Sequence, residues 1–191
     1  SRLTVSAMAE TARANLLDSV RLLDDYSPAL FDRVQATEEL VDQFEDKLGT
    51  YLVRLTALEL TVEQSEHVSK YLHALSDFER ISDHAVNISE NAQEKNDKHI
   101  RFSSDAEHEL RVLNSAIEDI LALSVSSFVN DDINAAYCVE PLEERIDVLC
   151  DEMKLRHVDR LQRGECSLGN GFLFNDLLTN FERVADHCSN I

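Results

Sequence analysis

Residues that break regular structure are scarce in this chain. Its 191 residues include 4 glycines and 2 prolines, and tryptophan is absent. So few turn formers leave little material for the many tight connections of an all-β fold, whereas Leu, Ala, Val, Glu and Asp recur at helical spacing. The fold class read from this is all-α. Positive charge is also short, with 18 Lys and Arg against 37 Asp and Glu and a formal charge of −19. Such a surface repels nucleic acid and anionic bilayers and favours cations and basic protein patches. No apolar run approaches the ~20 residues that cross a bilayer, and the opening "SRLTVSAMAE" lacks a signal peptide's apolar core. A soluble piece is expected, with no nucleic-acid partner and no direct membrane insertion. Cys138, Cys150, Cys166 and Cys188 stand singly, without a CxxC pair; they are expected to be reduced, cytosolic and mostly structural.

Apolar periodicity and punctuation predict six helices. The first covers residues 3–26 and stops before Pro28. The second covers 29–60, with Val34, Val41, Phe44, Leu48, Leu52 and Leu55 on one face. Thr61 and Gln64 form a capping box that opens the third, which runs to about residue 95. The polar stretch "KNDKHIRFSS" then marks a boundary between halves, giving expected domains of 1–98 and 99–191. Ser104 and Glu107 repeat the capping signal for a fourth helix, and "NDD" caps a fifth, which Pro141 should kink or restart. "RGECSLGNG" holds three of the four glycines and precedes a sixth helix expected to begin near Phe172.

One string occurs twice. "DFERISDHAVNI" occupies residues 77–88 on the third helix, and "NFERVADHCSNI" occupies 180–191 on the sixth. Upstream, "TEELVDQF" at 37–44 lines up with "LEERIDVL" at 142–149. A period near 100 residues is too long for a solenoid repeat, so the expected architecture is two tandem three-helix bundles related by internal duplication. The first copy continues into helical "SENAQEK" whereas the second stops at Ile191; a fragment of a longer protein is expected.

The repeated strings carry acids in register. Glu79 and Asp83 are four residues apart, hence one turn apart on one side of a helix, and Glu182 and Asp186 repeat the arrangement. Glu38 and Asp42, and again Glu143 and Asp147, give each bundle a second ExxxD pair on the neighbouring helix. Like charges at this spacing destabilise a helix by roughly 0.2–0.5 kcal/mol per pair, so a pattern used four times points to a compensating cation. Carboxylates suit Mg, Ca, Mn, Fe or Zn, and His84 and His187 stand beside them as further ligand candidates. The competing reading is an ordinary solvated face, with Arg80 and Arg183 paired to Asp83 and Asp186. Phe78, Ile81, Ala85 and Ile88 fall on the opposite side, which places the acids on the bundle surface, while Phe78 and Phe181 are core.

These "ERxxDHxxNI" strings, each backed by an ExxxD pair on the preceding helix, resemble the PhoU family. The resemblance covers nearly the whole chain and implies tandem three-helix bundles that bind multinuclear iron or zinc, or other divalent ions, on their surface through E/DxxxD motifs. It implies one metal site from Glu38, Asp42, Glu79 and Asp83 and another from Glu143, Asp147, Glu182 and Asp186. It also implies negative regulation of phosphate uptake and signalling, and a homodimer. The second half further resembles the cytoplasmic PhoU-like tail of bacterial sodium-dependent phosphate cotransporters. That implies an attached transmembrane transporter domain as partner and a location on the cytoplasmic side of the inner membrane. Two mismatches, Asp77 against Asn180 and Glu45 against Cys150, imply that the two sites differ.

Three functions follow from this reading. The first is a non-enzymatic regulatory domain for phosphate transport that binds metal. The second is a structural dimerisation or docking bundle without metal. The third is a carboxylate-bridged di-metal enzyme, weakened because the Glu-x-x-His motif of such bundles does not occur. Nor is there a GxSxG, or a Gly-rich loop followed by Lys-Ser/Thr.

Overall fold

Five caps decide where most of the helices begin. In the computed structural model, which describes residues 2–191, the helices are α1 (Arg2–Asp24), α2 (Pro28–Thr56), α3 (Val62–Asp97), α4 (Ser104–Asn130), α5 (Ile133–Gln162) and α6 (Leu168–Asn190). Ser27, Thr61, Ser103, Asp132 and Ser167 each accept a backbone N–H from three residues on. Each such cap satisfies a donor that the helix itself leaves free, worth about 1 kcal/mol. At Thr61 the box is complete, because the Gln64 side chain accepts the Thr61 N–H in return.

The helices depart from the expected ones in several places, α2 for one ending at Thr56 rather than at residue 60. The cap of α4 is Ser103 rather than Ser104, so Glu107 takes no part in a reciprocal box. Helix α5 runs through Pro141 without a break. Pro141 is exposed, as is Tyr137, whose carbonyl loses the proline's missing N–H as donor, so water can serve instead, while Val139, Ile146, Cys150 and Met153 hold the same helix in the core. Helix α6 starts four residues before Phe172, because Ser167 caps it and Gly169 and Gly171 lie inside its first turns. Gly171 is there for close approach: a Cβ would sit 2.7 Å from Nε2 of His157. Gly164 ends α5 at φ 72°, with Glu165 N–H donating to Arg160 O and Gly164 N–H to Leu161 O, a left-handed stop that favours glycine.

Helices α1 to α3 pack on one another, and so do α4 to α6; α3 against α6 and α1 against α4 join the two bundles. The fold is all-α, two tandem three-helix bundles, with one hydrophobic cluster running through both. The expected stripe on α2 is buried at Val34, Val41, Leu48 and Leu52 and partly buried at Phe44 and Leu55. Phe78 and Phe181 are fully inside, and Phe128 of α4 meets Phe78 edge-on at 5.3 Å, across the junction. Helix α4 is long and apolar enough by composition to pass as a membrane span. Its Leu110, Leu113, Ile117, Ile120, Leu121 and Val125 are instead core residues of this fold.

The two copies of the repeated string meet at that junction and bond crosswise. His187 Nδ1 lies 3.0 Å from Asp77 Oδ1, and His84 Nδ1 lies 2.9 Å from Asn180 Oδ1. Because Asn180 donates its own amide to Asp176 O, its oxygen is the acceptor and His84 donates. The imidazoles stack loosely at 5.6 Å between them. Both histidines therefore fasten α3 to α6, and each helix turns its neighbouring acids outward.

Candidate metal centre

In the second bundle, Glu143 and Asp147 stand one turn apart on α5, on the side facing α6, where Asp186 projects towards them. Ligand oxygens of Glu143, Asp147 and Asp186 all lie within 4.8 Å of one another, and all three side chains are partly buried. Burial above all, then the charge and hydrogen bond of Asp147 and those of Asp186, pushes the Glu143 carboxyl up to about 7. The nearest cation on α6 is Arg183, a mostly exposed side chain that reaches Asp186 only at 4.0 Å. Glu182 is not part of this trio. It faces Lys154 of α5, with Nζ to Oε2 at 2.5 Å.

In the first bundle, Glu38 and Asp42 of α2 face Glu79 and Asp83 of α3. Burial, then Asp83, then Glu45 push Glu79 up to about 7, with Arg80 pulling weakly the other way. Glu38 is raised by burial and by Asp42, Asp83 and Glu39. Arg80 lies 3.8 Å from Glu79 and 3.5 Å from Asp83. Among the described residues no trio here closes to the distance seen in the second bundle. A fifth acid joins the face: Glu45 is raised by burial and by Asp46, Asp42 and Asp83, and it in turn raises Glu79. Sequence reasoning saw Glu45 only as a mismatch with Cys150, although the spacing of Glu38, Asp42 and Glu45 already put all three on one face.

Of the eight acids picked out by sequence, the structure thus gathers three into one convergent group and sets four across the α2–α3 groove, while Glu182 goes to a lysine. The histidines beside them spend Nδ1 on the junction. Asn87 and Asn190 are exposed, and Asn190 reaches Asp77 at 3.5 Å. Chemically, both faces offer hard oxygen donors with too little local positive charge, which fits a divalent cation completed by water.

The description of the PhoU domain matches residues 5–92 and 110–191. The chain belongs to the PhoU family. Each matched stretch carries one of the two acid sets. The chain is similar to phosphate-specific transport system accessory protein PhoU homolog 1 of Thermotoga maritima, 22% identical over 98% of this chain and 80% of that protein. It is also similar to the accessory protein PhoU homolog of Clostridium acetobutylicum, 20% identical over 96% of this chain and 84% of the relative. Neither name mentions a sodium-phosphate cotransporter. The crystal structure of PhoU from Pseudomonas aeruginosa superposes with a TM-score of 0.92 at 19% identity, covering 99% of this chain and 90% of that one. At this identity the PhoU likeness speaks for the fold alone.

Proposed function

We propose that this chain is a non-enzymatic regulator of phosphate transport whose two bundles, residues 1–98 and 99–191, each present a carboxylate face to divalent cations. The observation that carries the metal reading is the convergence of Glu143, Asp147 and Asp186 from two helices within 4.8 Å. Membership of the PhoU family, and relatives named as accessory proteins of a phosphate-specific transport system, support the regulatory reading. Manganese suits an all-carboxylate donor set, and iron and zinc also accept carboxylate oxygens as ligands. The partner is a phosphate transporter on the cytoplasmic face of the membrane. Covalent attachment to a sodium-phosphate cotransporter is the finer form of this proposal; an antibody against the chain would then detect a much larger species in the membrane fraction.

The second reading, a docking bundle without metal, draws on Arg80, which already lies beside Glu79 and Asp83. One experiment separates them. Purified protein and a Glu79→Ala/Asp83→Ala/Glu182→Ala/Asp186→Ala variant, each checked for helicity, are analysed for metal by plasma mass spectrometry. Retention by the first and loss by the folded second supports the metal reading; absence of metal from both, even after incubation with Mn²⁺, supports the docking bundle. In cells, the same variant at unchanged protein level should alter the rate of phosphate uptake in phosphate-replete medium.

A further inference from the structure

The two halves differ where α2 and α5 face the acids. Setting Glu38 against Glu143 and Asp42 against Asp147 places Glu45 opposite Cys150 and Gly49 opposite Lys154. Along the row of positions 38, 42, 45 and 49 and its counterpart 143, 147, 150 and 154, the second half therefore has one carboxylate fewer and one ammonium more. Cys150 contributes no charge, because burial and then Glu182 push its thiol up to about 12. Lys154 is no loose surface residue: its side chain is 29% exposed and that of Glu182 22%, and they meet across the α5–α6 groove. Among the described residues of the first half no ammonium takes the corresponding place on α2; its cation is Arg80 of α3, which also lies 3.5 Å from Asp83. Gly49 leaves the space beside α2 open, with nothing within 4 Å of where a Cβ would be. The counterpart of Glu182, Glu79, has Arg80 at 3.8 Å, and Arg80 is 60% exposed.

We propose that Lys154 is a resident cation that competes with divalent metal for Glu182, so that the first acid set loads at lower metal concentration than the second. Resting on the metal-binding reading above, this assigns regulation of site occupancy to one residue. An ammonium on its flexible stem brings three donors and a single charge, and it neutralises one carboxylate; a divalent ion must displace it to recruit Glu182 as a ligand. Glu143, Asp147 and Asp186 then remain as the second bundle's own ligand set, in a field already made less negative by the lysine.

The test isolates one set at a time and uses Mn²⁺ alone, with free ion read by electron paramagnetic resonance and bound ion by elemental analysis after gel filtration. In a Glu79→Gln/Asp83→Asn background, which silences the first set, Lys154→Met should tighten Mn²⁺ binding about tenfold or more, as expected for removing one close positive charge. Lys98→Met, which removes the same charge from an exposed pair with Glu94, should leave it unchanged. Conversely, Gly49→Lys in a Glu143→Gln/Asp186→Asn background should weaken binding by the first set. Lys154→Gln serves in place of Lys154→Met if the latter does not fold. Mn²⁺ binding by the first background that is equal with and without Lys154 would overturn the role of the lysine and leave the metal reading intact; no Mn²⁺ on the unaltered protein would overturn both.

Discussion

Glu79 and Glu143 lie in different bundles, yet burial and a neighbouring aspartate raise both to about 7, from 4.5 in the unfolded chain. Between 4.5 and about 7 the folded protein consequently holds protons that the unfolded chain has released, and stability falls as pH rises through that window. Glu38 and Glu45, also raised, act in the same direction. His84, lowered by burial and held by Asn180, acts in the opposite one. The informative quantity is therefore a difference. In chelator, a Glu79→Gln/Glu143→Gln variant should gain in melting temperature over the unaltered protein as pH is raised across this window; melts followed by circular dichroism measure it, and a gap that shrinks with pH contradicts the assignment. The identity of these acids was legible from their spacing of four. Their unequal fates were not, because whether Glu182 meets Asp186 or Lys154 depends on the packing of α5 on α6, which no single-helix pattern encodes.

At the scale of the elements, a close approach between α5 and α6 fixes the groove that Glu182 and Lys154 share. Gly171 sits against His157, which is 6% exposed and stacked on Phe174 at 5.0 Å, so the imidazole has little room to yield. Gly171→Ala should cost about 1–3 kcal/mol by overpacking, whereas Gly49→Ala, in open space inside a helix, should stabilise by about 0.5–1 kcal/mol. Urea denaturation of both gives the comparison, and equal effects would contradict it. Helix order, the Thr61 box and the stripe on α2 were legible because caps and period are local. The start of α6 was not: Gly169 and Gly171 look like loop until His157 supplies the reason for a glycine there. At Pro141 the expected restart is absent for a related reason, since a helix anchored by core residues on both sides carries a proline on its exposed face.

Across the whole molecule, duplication gives the two copies of one string a common task and two separate ones. The task in common is the crosswise bonding of His84 to Asn180 and of His187 to Asp77, which fastens the bundles. The separate ones are the two outward acid faces, on a chain of formal charge −19 with few cations to spare for them. Cation binding there neutralises repulsion that the fold itself leaves uncompensated. The most direct measurement is X-ray diffraction at the manganese absorption edge from crystals grown with Mn²⁺. The account predicts an anomalous peak among Glu143, Asp147 and Asp186 and another in the groove between Glu38, Asp42, Glu79 and Asp83. Well-ordered carboxylates with no anomalous density at either face would contradict it.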